Sequence, residues 1–244
     1  MIVGSNLILR LNNKRTLAYN QDEKIFHVVE TDPKFHLVEG ACYISINSTH
    51  FIQIGGELNG NVLNAAYMIN IESNSNSGPN YNNKYRLKIK ALPNFHTKRK
   101  YAGCTTGVIS GKNSIIVVGG SSHKESFLNS GEYLPLVSLK KPVISNDGVN
   151  FLPSSNFEAD RYQWKSLPSF QIARSGFPTV FASENKLVVV GGKCPFFQNV
   201  PNFKQHCNKV EVLNSEKCNW IITNDTIKSI RYNHNSEDVT KICH

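Results

Sequence analysis

Apolar positions along this chain fall in short runs rich in β-branched and aromatic residues, and no stretch holds the three-to-four-residue spacing of an amphipathic helix. Phe51 to Ile54, Ile115 to Val118 and Leu187 to Val190 each end on a glycine pair: Gly55-Gly56, Gly119-Gly120 and Gly191-Gly192. Short runs flanked by turn formers predict strands. A polar loop follows each pair, then a second β-like stretch at 66–70, 131–135 and 209–214. An aromatic-bearing stretch closes two of the units, at 162–168 and 218–222. This order predicts four short strands per unit.

The spacing repeats. Pro33 stands 22 residues before Gly55, Pro93 stands 26 before Gly119, and Pro168 stands 23 before Gly191. Leu92, Pro93, Phe95 and Arg99 fall in register with Leu167, Pro168, Phe170 and Arg174, whereas Pro33 is matched only by Phe35. Glu132 and Glu211 occupy similar places in the third strands, which gives them a structural reading. A period of a few tens of residues marks stacked supersecondary units, here at approximately 1–31, 32–90, 91–166 and 167–225, with a partial unit at 226–244. A glycine pair can also cradle phosphate, but that loop needs GxxxxGK[ST] or GxGxxG opening a helix. Glu57, Ser121 and Lys193 follow instead, so the pairs read as strand ends that need positive φ.

With these three pairs, Tyr67 and Tyr133 downstream, and Trp164 and Trp220 in the closing stretches, the chain resembles the kelch-repeat family. Its blades build a β-propeller. The resemblance covers about three full repeats and implies an all-β propeller of about four recognisable four-stranded blades. Ile89 stands where the other units carry Trp164 and Trp220, and polar insertions occupy 74–83 and 139–160. Gly4-Ser5 resembles a variant glycine pair ending a second strand, with 16–20 and 24–29 as the third and fourth. The terminal strands are therefore expected to share one blade of an incomplete or divergent propeller, whose open edges favour self-association.

The 244 residues, 40% hydrophobic, suffice for one large domain. No apolar run approaches the roughly 20 residues of a membrane span. The first fifteen residues lack the basic start and apolar core of a signal peptide, so a cytoplasmic protein is expected, with Cys42, Cys104, Cys194, Cys207, Cys218 and Cys243 as free thiols. Under secretion, Cys194 and Cys207 could pair, and Asn47 and Asn224 would open glycosylation sequons. The net charge of +9 invites a nucleic-acid partner, but its densest cluster, Lys98 to Lys100, is small and no aromatic RNA-binding motif surrounds it. A solvated basic face is the expectation.

The loops after the glycine pairs, 57–64, 121–129 and 193–207, should share one face of a propeller. His123, Lys193, Phe196, Phe197, Phe203 and Lys204 are the partner-binding candidates, a mix of apolar anchors and cations that suits an acidic protein. The resemblance implies the same, since many kelch propellers are adaptors. A non-catalytic interaction module without metal or cofactor is the expectation. The alternative is an enzyme of galactose-oxidase-like or sialic-acid-epimerase-like type. It would draw on Tyr101, Cys104, His123, His206 and Cys207 for copper, or on Glu57, Glu132 and Glu211 for proton transfer.

Overall fold

A computed structural model describes residues 2–3, 6–10, 16–20, 24–30, 38–73, 85–122, 126–136, 143–145, 148–150, 163–182, 185–194 and 209–226. Among these residues every regular element is a strand. The first group is β1 (Ile2–Val3), β2 (Asn6–Arg10), β3 (Thr16–Asn20) and β4 (Ile25–Glu30). The second is β5 (Cys42–Ser45), β6 (His50–Ile54), the small hairpin β7 (Glu57–Leu58) and β8 (Asn61–Val62), then β9 (Ala66–Ser73) and β10 (Tyr85–Leu92). The third is β11 (Gly103–Ile109), β12 (Lys112–Val118), β13 (Gly131–Pro135), the inserted hairpin β14 (Val143–Ser145) and β15 (Gly148–Asn150), and β16 (Lys165–Leu167). The fourth is β17 (Thr179–Phe181), β18 (Lys186–Val190), β19 (Lys209–Asn214) and β20 (Asn219–Thr226).

The third and fourth groups form separate four-stranded antiparallel sheets in sequence order. The first two groups join into one curled eight-stranded sheet, β1-β2-β3-β4-β10-β9-β6-β5. The join is a short parallel pairing of Tyr85 and Arg86 with Val29 and Glu30. It departs from the expectation of a separate sheet for each unit. Its physical reason is that β4 and β10 would otherwise both present unpaired backbone edges, which each satisfies on the other. At the amino terminus Val3 pairs with Asn6, which makes β1 a first strand and β2 a second; Gly4-Ser5, expected to end a second strand, lies outside the described residues. Among the described residues β1 pairs only with β2, and β20 only with β19. The partial unit at 226–244 lies outside the described residues beyond Thr226.

The sheets pack face to face and share cores. Ile115 and Val117 of β12 face Ile52, Ile54 and Leu92 of the preceding group, while Ile116 and Val118 face Phe177, Leu187 and Val189 of the following one. A strand covered on both faces needs an unbroken apolar run rather than alternation, which accounts for Ile115 to Val118. Among the described residues no helix is long and apolar enough to cross a membrane.

The expectation of six free thiols is corrected here. Cys42 of β5 and Cys104 of β11 form a disulfide, and Cys194 is also disulfide-bonded. The first strands of neighbouring groups run side by side and bring Cα atoms 62 residues apart to 6.0 Å, within bridging range. Spacing along the chain does not reveal that approach. Cys218 is free and exposed; Cys207 and Cys243 lie outside the described residues.

Every glycine of the three pairs has positive φ, between 59° and 96°. At Gly55 a Cβ would collide with the Arg99 carbonyl oxygen. Gly111 also has positive φ but has open space around it. Gly111→Ala should cost about 1–2 kcal/mol through backbone strain alone, and Gly55→Ala clearly more, measured by denaturant unfolding; equal losses would refute the close-approach explanation.

Candidate functional site

The shared phrase before each first strand builds a clamp. The Arg99 guanidinium, fully buried, donates from Nη1 to the carbonyl oxygens of Gly119 (2.9 Å) and Ser130 (3.0 Å) and from Nε to Thr97 O. From Nη2 it reaches Glu132 Oε1 at 2.9 Å. Arg174 repeats this set on Gly191 O, Lys209 O, Ile172 O and Glu211 Oε1, the last at 2.7 Å. Each carboxylate also accepts two backbone N–H groups from its own loop, His96 and Thr97 for Glu132, Gln171 and Ile172 for Glu211. The proline carbonyls accept the indole N–H groups, Trp164 to Pro93 and Trp220 to Pro168, while Phe95 and Phe170 pack on those indoles. Asn64 and Asn129 cap the phenylalanine carbonyls. The sequence reading missed these asparagines, although each stands eight or nine residues past its glycine pair.

The clamp also ties neighbours together, because Gly56 N–H donates to Arg99 O and Gly120 N–H to Arg174 O, both at 2.9 Å. The second group lacks the ion pair. The bridges Glu39–Glu57, Lys100–Ser121 and Ser175–Lys193 are equivalent, so the residue before each, Val38, Arg99 or Arg174, marks the clamp position. Tyr67 lies opposite Gln53 as Glu132 lies opposite Val117. Thus Val38 and Tyr67 stand where Arg99 and Glu132 do, and Tyr133, opposite Ile116, is one step out of register with Tyr67. In the same register Ile89 replaces the tryptophan.

The three bridges place side chains that differ between units along one rim. They are Glu39, Gly40 and Glu57; Lys100, Tyr101 and Ser121; and Ser175, Gly176 and Lys193. A main-chain relay links them, Gly176 N–H to Tyr101 O at 2.8 Å and Tyr101 N–H to Gly40 O at 2.6 Å. Tyr101 adopts φ +52° where its counterparts are glycines at +65° and +62°. A bulky residue in that region is strained, and such strain collects at functional sites. Its ring crosses Gly40 and its hydroxyl donates to Glu39 Oε1 at 2.7 Å. Lys100 pairs with Glu57 and lies 5.8 Å from the Tyr101 ring centre. The bond to Glu39, partial burial and the charges of Glu39 and Glu57 push the phenol up to about 12. It is therefore a hydrogen-bond donor across the neutral range.

Of the expected partner-binding residues, the structure places Lys193 on this rim, exposed; His123, Phe196, Phe197, Phe203 and Lys204 lie outside the described residues. Of the residues considered for copper, Cys104 is held in its disulfide and Tyr101 is hydrogen-bonded to Glu39; His123, His206 and Cys207 lie outside the described residues. Among the described residues no three His, Cys, Asp or Glu side chains cluster as metal ligands.

No family model matches the chain, and no curated protein matches it. Among solved structures, that of YjhT superposes with a TM-score of 0.51 at 12% identity, over 86% of this chain and 52% of the other. The chain thus spans about half the length of that structure. At this identity the likeness concerns fold alone, and it agrees with the all-β, propeller-like arrangement of sheets.

Burial works against the charge on Glu132, but the His96 and Thr97 amides, the His96 ring and Arg99 outweigh it and hold the carboxyl below its ordinary range. Burial pulls Arg99 down against the opposing contacts of Glu132, yet a guanidinium starts too high to lose its proton. The carboxylate therefore sets the pH response. Its stabilisation is complete above the unfolded value of roughly 4.3 and is lost as pH falls through the lower folded value. Glu132→Gln should cost about 3–5 kcal/mol at neutral pH by leaving a buried guanidinium unpaired, and it should flatten the acid limb of an unfolding-versus-pH curve. A loss no larger than that of Glu57→Gln would contradict the clamp. In a spectrophotometric titration one phenol should ionise at about 12 and move down in Glu39→Gln; no change would remove Glu39 as the cause.

Proposed function

We propose that this chain is a divergent kelch-type β-propeller of about four blades, with terminal strands that share one blade, and that it acts as a non-catalytic protein-interaction module. The observation that carries the reading is the contrast between a repeated frame and an unrepeated rim. Clamp, glycine pair and tryptophan anchor recur between units, whereas the bridge positions change charge and size from unit to unit. A frame that holds equivalent positions in equivalent geometry while their chemistry varies suits recognition of a partner surface. Tyr101 fits the part of an anchor, a partly exposed aromatic held rigid at the strained position.

Lys193 stands on the rim, and the sequence that follows it, with Phe196, Phe197, Phe203 and Lys204, has the cationic and apolar composition that suits an acidic partner. The units proposed are those of the sequence repeat. The catalytic alternative has less support, since Glu57 pairs with Lys100, Glu132 with Arg99 and Glu211 with Arg174. A general acid or base needs a group free to exchange its proton with substrate. A cytoplasmic location was expected together with free thiols, and the Cys42–Cys104 disulfide withdraws that support.

Tyr101→Gly tests the reading without backbone strain, because the equivalent positions are glycines. Proteins captured by the wild-type chain would be purified and titrated calorimetrically against wild type, Tyr101→Gly and Lys193→Glu. At least one variant should bind about tenfold more weakly, a loss of about 1.4 kcal/mol, with its melting temperature unreduced. Unchanged affinity of every interactor for both variants would overturn the rim assignment, and turnover of a free sugar by the wild type would favour the enzyme.

A further inference from the structure

The turn between β5 and β6 carries Asn47-Ser48-Thr49, an N-x-T sequon. Asn47 Oδ1 accepts the backbone N–H groups of Thr49 at 2.9 Å and His50 at 2.8 Å. Two N–H donors fix which amide atom is the oxygen. Among the described residues every hydrogen bond of the Asn47 side chain runs through Oδ1, so Nδ2 is left uncommitted. The Thr49 hydroxyl lies 3.2 Å from Oδ1, and Ser48 and Thr49 are exposed. The chemistry of the sequon asks for this arrangement, a hydroxyl beside the acceptor amide and an amide nitrogen open to attack on a surface turn.

An independent observation bears on where the chain matures. Cys42 and Cys104 are bridged and Cys194 is disulfide-bonded, and structural disulfides form and persist in oxidising compartments. Sequon and oxidised cysteines point to the same place. We infer that Asn47 is an N-glycan acceptor and that the chain folds in an oxidising compartment where an oligosaccharide donor is present.

In the transfer, Asn47 Nδ2 bonds to the anomeric carbon of a lipid-diphosphate-linked oligosaccharide. The anomeric C–O bond breaks, the lipid diphosphate leaves with the electron pair, and the amide proton passes to a base of the transferase. In bridge formation the Cys42 and Cys104 thiols give two electrons and two protons to a disulfide-bearing oxidant. The glycan has a defined place. The turn begins β6, and Gly55-Gly56 follow its other end; five residues at roughly 3.3 Å each put about 17 Å between them. The carbohydrate therefore occupies the face opposite the rim and leaves the rim open.

The test is peptide mass spectrometry on the full chain isolated from the cells that make it, without reduction and after amidase release of N-glycans in ¹⁸O-water. The expected result is an ¹⁸O-labelled aspartate at position 47 and a Cys42–Cys104 linked peptide. The same chain sent through a eukaryotic secretory pathway should lose one amidase-sensitive mobility step in both Asn47→Gln and Thr49→Ala. Unmodified Asn47 with alkylatable Cys42 and Cys104 overturns the whole inference. Linked cysteines with unmodified Asn47, or carbohydrate at Asn224 alone, overturn the acceptor assignment.

Discussion

The third and fourth groups each hang on a buried guanidinium that has to be fully satisfied. Arg99 and Arg174 are too costly to bury unless carbonyl oxygens and a carboxylate surround them. The chain meets that demand by bringing the end of a second strand, the start of a third and the loop before a first to one point. Each contact fixes a piece of backbone, and the arginine's own carbonyl then accepts from the glycine pair of the preceding group. Electrostatic necessity inside one unit thereby becomes geometry between two. The ion pair adds little over a well-packed apolar substitute. What it supplies is definition, since a neighbour displaced by an ångström would lose several hydrogen bonds together.

Much of this frame was legible because it recurs. The β-branched runs with their glycine pairs, the Leu-Pro-x-Phe phrase and the aligned Arg99 and Arg174 announced a stacked architecture, and Glu132 and Glu211 stood out as repeat positions. Their pairing with the arginines did not, because 33 residues separate Arg99 from Glu132 and only the sheet register brings them together. Where the repeat decays, so did the reading. Alignment on Pro33 sets Glu39 opposite Arg99, whereas the backbone bridges set Val38 there. The β4–β10 join and the Cys42–Cys104 bridge rest on contacts between units that carry no local signal.

The rim shows the same division from the other side. Glu39, Lys100 and Ser175 have no common chemistry, so comparison of repeats passes over them; only the bridges that set them side by side reveal them as one feature. Tyr101 is the sharpest instance. In sequence it is one aromatic among many, and only its left-handed backbone, shared with two glycines, marks it as a residue whose side chain is kept at a conformational cost.

The two-faced strand β12 has a mechanical meaning beyond its burial. Consecutive residues serve different interfaces, Ile115 and Val117 backwards and Ile116 and Val118 forwards, so any twist that relieves one contact surface disturbs the other within a single residue. In an array described by nearest-neighbour couplings, such a strand makes both couplings of the third sheet rise and fall together. That sheet has no independent way to loosen. Strain entering at either neighbour is passed on to the other, and the third and fourth groups with the end of the second should respond to load as one elastic body.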